Sequence, residues 1–228
     1  MSGKTKRGSV NEKKYWTLVS STEAFLEKYG DNYLGVAWTK SQEHANTRYR
    51  IMLEVIRPQT HRKIKLLDFG CGASHLYEYI LKNRLEHIEY SGLDLSRKFL
   101  DLSRKKFPSV QYFDLDVRED PEGLPEFDYI VINGVFTTKF DLSFEDMFEH
   151  LRAVVRALFK KARVGIAFNV MSKHVDWERE DLFHLPLDEL AAFLTKEVSQ
   201  HFRIRHDYGL HEYTAHVYRE PDFGGGER

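Results

Sequence analysis

The chain has one cysteine, Cys71, so no disulfide can form within it. Such sparing use of cysteine fits a reducing compartment, and the expected location is the cytoplasm. No apolar run approaches the ~18 residues of a transmembrane helix. The opening residues are polar and basic, unlike a secretory signal, so neither membrane insertion nor export is expected. Charge of one sign is also missing, since 34 Lys and Arg stand against 35 Asp and Glu. That balance gives no overall pull toward nucleic acid or anionic lipid. No internal repeat and no low-complexity linker divides the sequence. What is present, 228 residues that are 42% hydrophobic and 14% aromatic, describes a globular chain. It is long enough for one α/β domain with a substantial core.

Residues 1–14 carry Lys4, Lys6, Arg7, Lys13 and Lys14 with little apolar content, and read as a loose basic tail. Residues 221–228, with three consecutive glycines, read as a second one. The domain between them spans 15–220, with an N-terminal helical cap at 15–60. Helical spacing marks 18–29 and 42–56. Strands and helices then alternate: strand 64–69, helix 74–83, strand 88–93, helix 96–106, strand 110–114 and strand 127–132. Helix 143–159, strand 163–170, helix 187–198 and strands 201–206 and 212–219 follow. This alternation predicts a Rossmann-like, mostly parallel sheet with helices on both faces. The short link between the last two strands makes a hairpin, so the final strand runs antiparallel.

The first strand ends in Leu67-Asp68-Phe69-Gly70-Cys71-Gly72-Ala73-Ser74, an acid followed by two glycines one residue apart. A turn without side chains at Gly70 and Gly72 lets backbone approach a ligand closely. The helix behind it offers unpaired N–H groups to an anionic group. Asp68 repels a phosphate and attracts an amine. A dinucleotide fingerprint needs a third small residue three positions after Gly72, and His75 stands there instead. Polar residues also close the next three strands: Asp94 before Leu95, Asp116 before Val117, and Asn133 before Gly134. Strand ends of a parallel sheet share one edge, where ligands bind. Asp94, about twenty residues past the turn, suits a ribose. Asp116 suits an adenine amino group, with the Val117 amide donating to a ring nitrogen. A carbonyl near Asn133 or Gly134 suits an ammonium group. Singly, each has a plainer reading: a bare turn, a helix cap at Asp94, a solvated acid at Asp116. Together, in order at successive strand ends, they point to S-adenosylmethionine.

The segment Leu67-Asp68-Phe69-Gly70-Cys71-Gly72 resembles motif I of the class I S-adenosylmethionine-dependent methyltransferases. Asp94, Asp116 and residues 128–134 match the following motifs in order, and the resemblance spans about residues 30–219. It implies a seven-stranded sheet of order 3-2-1-4-5-7-6 with strand 7 antiparallel. It also implies S-adenosylmethionine as cofactor, held by Asp68, Gly70, Cys71, Gly72, Asp94, Leu95, Asp116, Val117, Asn133 and Gly134. Segments before motif I often close over the cofactor in this superfamily. Trp38 is therefore expected to line the pocket, and Arg48 to reach the cofactor carboxylate.

The methyl acceptor is less legible. Asn133-Gly134-Val135-Phe136 lacks the two prolines that many amine-methylating enzymes of nucleic acids and proteins carry there, although Phe136 keeps the aromatic. After the fifth strand, His174 is the expected general base with Asp176 as its partner, and Asn133 faces the transferred methyl. Phe136, Trp177, Tyr33 and Tyr208 are the expected substrate contacts. His174, Asp176, Glu178 and His184 show no metal-ligand spacing, so no metal is expected. Phe168-Asn169 and residues 205–214 are similar to small bacterial methyltransferases associated with surface-polysaccharide and secondary-metabolite gene clusters. The expected activity is O- or N-methylation of a small-molecule or carbohydrate-linked acceptor by a monomer or homodimer. The alternatives are an RNA or protein methyltransferase using the basic tail, and a non-catalytic cofactor-binding module.

Overall fold

A computed structural model describes residues 10–36, 41–58 and 63–222. Helices α1 (Val10–Tyr29) and α2 (Gln42–Leu53) precede the sheet. The alternation then runs β1 (Ile64–Phe69), α3 (His75–Lys82), β2 (Ile88–Leu93), α4 (Arg97–Lys106) and β3 (Gln111–Phe113). It continues through β4 (Phe127–Phe136), α5 (Phe144–Lys161), β5 (Ala162–Ser172), β6 (His184–Leu185) and α6 (Leu187–Glu197). The hairpin β7 (His201–Arg205) and β8 (Glu212–Tyr218) closes it.

The sheet order is β3-β2-β1-β4-β5-β8-β7, with β6 pairing beside the end of β5. All pairs are parallel except β5 with β8 and β7 with β8. With the two-residue β6 set aside, this is the order the resemblance implies, antiparallel last strand included. The central strands are mostly apolar because both faces are covered. Leu66, Tyr129 and Val131 pack on α2 and α3, whereas Leu67, Ile130 and Ile132 pack on α5 and α6. Serine side chains cap α2, α4 and α5: Ser41 accepts from the His44 amide, Ser96 from Phe99 and Ser143 from Asp146.

The departures from the sequence reading that bear on the site are in α1, β4 and β6. Helix α1 begins at Val10, inside the stretch expected as a loose tail. Tyr15, buried in the core, draws that stretch in. Strand β4 runs to Phe136 rather than 132, because pairing with β5 slips after Ile132 and resumes at Phe136 with Val170. Strand β6 is too short to show a period of two.

Candidate active site

The C-terminal ends of β1, β2 and β4 open into one cleft. Its wall includes Asp68, Gly70, Cys71, Gly72, Asp94, Leu95, Asp116, Asn133 and Gly134. Nine of the residues expected around the cofactor are therefore brought together. Helix α1 covers this cleft through Tyr15, Leu18, Val19 and Thr22, and Val36 follows from the next segment. The cap is fastened across the cleft: the Ser96 hydroxyl donates to Glu23 at 2.6 Å, and Lys98 pairs with Glu23 at 3.1 Å and Glu27 at 2.6 Å.

The glycine turn is built by the β1–β2 pairing. The Gly70 and Cys71 amides both donate to the Leu93 carbonyl, at 2.8 and 3.0 Å. Gly70 has φ +73°, and a Cβ there would strike Val135. Asp94 clamps the turn, accepting the Gly72 amide at 2.9 Å and the Ser96 amide at 2.8 Å. Burial nevertheless raises its pKa to about 6, against those amide bonds. Asp68 is more deeply buried. It accepts one hydrogen bond, from the Tyr90 hydroxyl at 2.8 Å, and burial lifts its pKa to about 7. An incoming cationic group would restore the charge on Asp68.

Asn133 carries the sharpest signal. Both its Oδ1 and Nδ2 are buried in the cleft wall with no protein partner. A buried amide with neither atom satisfied is disfavoured unless a ligand completes it. Together with the glycine turn and the two acids, this fits a ligand that presents an amino-acid group and a ribose.

Asp116 lies in the same wall, but Arg118 engages it. Arg118 Nε donates to Asp116 Oδ1 at 2.9 Å, and Nη2 meets Oδ2 at 2.5 Å. Burial would raise the Asp116 pKa, and the Arg118 guanidinium outweighs it and holds the carboxyl below the usual range. Arg118 in turn sits 4.6 Å from the Tyr15 ring centre, and Tyr15 stacks on His150 at 4.5 Å. His150, on α5, is buried in the cleft wall. Burial, reinforced by the Arg118 charge, lowers its pKa to about 3, so the ring is neutral.

Other expected site residues stand elsewhere. Arg48 does not enter the cleft wall; its guanidinium grips Glu212 through Nε at 2.9 Å and Nη2 at 2.8 Å. Glu212 is buried, so it demands that partner. His174 is exposed on the loop after β5, and Asp176 approaches His211 at 4.0 Å instead. Trp177 lies on the same loop, 38% exposed, its ring 4.9 Å from that of His211. Phe136 is fully buried between Phe168 and His150, and the Val117 side chain is in the core. Tyr33 packs edge-on to His75 and bonds Gln42. Tyr208 bonds Thr214 at 3.0 Å. Trp38 lies outside the described residues. Of the residues weighed as metal ligands, His184 directs Nδ1 to the Ser172 carbonyl at 2.7 Å. Asp31, His75 and Glu78 do cluster, with the Lys106 ammonium 2.8 Å from Asp31 and 2.6 Å from Glu78.

Sequence reasoning missed Tyr15, Arg118, His150 and Thr137. His150 had a signal, since it falls on the apolar stripe of α5 among Met147, Leu151 and Val154. His75, read as the residue that spoils a dinucleotide site, itself lines the cleft, with Nε2 2.8 Å from Asp31.

Residues 67–163 match a family model described as a methyltransferase domain. "Putative methyltransferase Rv1506c" of Mycobacterium tuberculosis is 28% identical over 154 residues, covering 66% of this chain and 90% of that protein. Magnesium protoporphyrin IX methyltransferase from Synechocystis, solved with bound S-adenosylmethionine, superposes with TM-score 0.60 at 12% identity. That match covers 96% of this chain and all of the other. The 1,6-didemethyltoxoflavin-N1-methyltransferase of Burkholderia thailandensis, solved with its substrate and S-adenosylhomocysteine, also gives 0.60, at 15% identity over 95% of this chain and 92% of that one. Residues 67–163 thus match a methyltransferase domain, and the sheet has the fold of solved methyltransferases that bind S-adenosylmethionine.

Proposed function

We propose that the chain methylates a hydroxyl or amino group on a small-molecule or carbohydrate-linked acceptor. The observation that carries this reading is the unpaired Asn133 amide, set in a cleft roofed by α1. An acceptor must reach that amide beneath a fastened helix, which suits a compact molecule over a folded macromolecule. Two solved relatives in fold bear the names of small-molecule methyltransferases, which agrees.

S-adenosylmethionine, when bound, supplies an electrophilic methyl group on a sulfonium. The residues that would hold it are Asp68 for its ammonium, Asp94 for its ribose, and the Gly70–Gly72 turn for its close approach. Arg48, held by Glu212 and absent from the cleft wall, does not serve as partner to the carboxylate. Asn133 orients the acceptor or the amino-acid end of the cofactor. Helix α1 excludes water, so rate is gained by positioning and desolvation. His150 is too weakly basic to hold a proton at neutral pH. Its acid–base contribution is a hydrogen bond, and the acceptor's proton leaves by another route. With His174 exposed outside the cleft, this chemistry favours a nucleophile that brings a free lone pair, such as an amine bound as its neutral base, over an alkyl hydroxyl.

No helix of the described residues is long and apolar enough to cross a membrane, and action in the cytoplasm is part of the proposal. Incubating the enzyme with methyl-labelled S-adenosylmethionine and a metabolite extract tests it. Label should move into low-molecular-mass product. Label found only in RNA or protein would overturn it.

A further inference from the structure

Gly134 follows Asn133 at the point where β4 loses register with β5, and its φ is +83°. In a regular ladder its peptide groups would pair with backbone. Here side chains satisfy both: the Gly134 amide donates to Asn169 Oδ1 at 2.8 Å, and the Thr137 hydroxyl donates to the Gly134 carbonyl at 2.9 Å.

Asn169 is fully buried on β5, so its amide orientation must be fixed from behind. Its Nδ2 donates to Glu212 Oε1 at 3.0 Å. A carboxylate accepts only, so Glu212 compels the nitrogen to face it and leaves the oxygen for Gly134. The reverse orientation would set donor against donor at the Gly134 amide. Glu212 is itself 1% exposed, and the Arg48 fork neutralises it. The chain Arg48–Glu212–Asn169–Gly134 thus runs from the cap helix α2, through β8 and β5, to the irregular step of β4 in the cleft wall. Buried ion pairs are weak sources of stability compared with apolar packing, yet they fix orientation when fully bonded.

We infer that Asn169, oriented by the Glu212–Arg48 pair, is a positioning residue that holds the Asn133–Gly134 step of β4 in its binding geometry. This rests on the reading of the cleft as the cofactor site.

The test is calorimetric titration of the full chain with S-adenosylhomocysteine, run beside thermal unfolding. Asn169→Leu keeps the volume and removes the Gly134 acceptor. Its affinity should fall by about tenfold or more, the size expected when a buried donor loses its partner. A second design moves the carboxylate one step along the chain. N169D alone places two acids together and should also bind about tenfold more weakly. In N169D/E212Q, the carboxylate introduced at position 169 accepts both from the Gly134 amide and from the side-chain amide introduced at position 212. Arg48 keeps an oxygen partner in the new amide carbonyl. The double variant should recover most of the affinity. Wild-type affinity in Asn169→Leu with only a lowered unfolding midpoint would reduce Asn169 to a structural role and overturn the inference. So would a double variant that binds no better than N169D. Failure of the wild-type chain to bind S-adenosylhomocysteine would instead sink the cofactor reading itself.

Discussion

At the scale of single residues, Asp68 joins binding to instability. Its folded pKa of about 7 lies above the ordinary 3.8 because burial disfavours the charge. Between those values the ligand-free fold holds a proton that the unfolded chain has released. The stability this group contributes is therefore fully present below pH 3.8 and lost as pH rises to about 7. Cofactor binding runs the other way, since the ammonium needs the ionised carboxyl. Affinity for S-adenosylhomocysteine should rise from about pH 6 to about pH 8, across the Asp68 titration. In D68N the ligand-free unfolding midpoint at the upper pH should increase, while affinity falls by about tenfold or more and its pH slope flattens. Calorimetry at both pH values with a melting scan checks all three. A lower midpoint together with unchanged affinity would contradict them. The place of Asp68 in the cleft wall was legible in sequence, because an acid beside a glycine pair at a strand end faces the edge where ligands bind. What was not legible is partnership across the fold. Nothing near Arg48 announces Glu212, 164 residues on. Nor does Asn169, a polar residue near the end of an apolar strand, announce that it faces the Gly134 amide.

At the scale of elements, the regular ones could be read and the irregular ones could not. Strands β1 and β2 have apolar runs bounded by charges, and their ends were placed to the residue. At the slip in β4 the Gly134 amide meets the Asn169 side chain, a pairing that no periodicity reports. Helix α1 is the consequential case, because among its described side chains Tyr15 is the one buried in the core and also faces the cleft. Tyr15 stacks on His150, lies under the Arg118 guanidinium and lines the cleft. Stacked pairs contribute about 0.5–1.5 kcal/mol beyond area. Tyr15→Ala should therefore weaken S-adenosylhomocysteine binding by roughly three- to tenfold through a loosened roof. Limited proteolysis should show α1 cut faster in the variant, with added ligand restoring protection in the wild type. Equal cutting rates with and without ligand would mean that the helix does not cover the site.

At the scale of the whole molecule, the cleft draws its wall from α1, β1, β2, β4 and α5, elements far apart in sequence. Ligand that fills such a wall bridges both layers of the sheet, so binding energy should appear as global stability. At about 100 times its Kd, a ligand confined to the folded state adds about 2.7 kcal/mol. A domain of this size shifts by about 2–4 °C per kcal/mol, so saturating S-adenosylhomocysteine should raise the unfolding midpoint by roughly 5–11 °C. The rise should be larger at about pH 8 than at about pH 6, because Asp68 and Asp94 titrate near 7 and 6 and the bound amino group and ribose hydroxyls favour their charged forms. RNA should give no comparable rise, since the net charge of −1 supplies no electrostatic attraction for a polyanion. A single cooperative transition that moves with ligand would join cap and sheet in one unit. A split transition, in which only part of the signal moves, would mean that α1 melts away from a sheet that binds without it. The roof would then contribute nothing to holding the cofactor, and the case for a compact acceptor would fall with it.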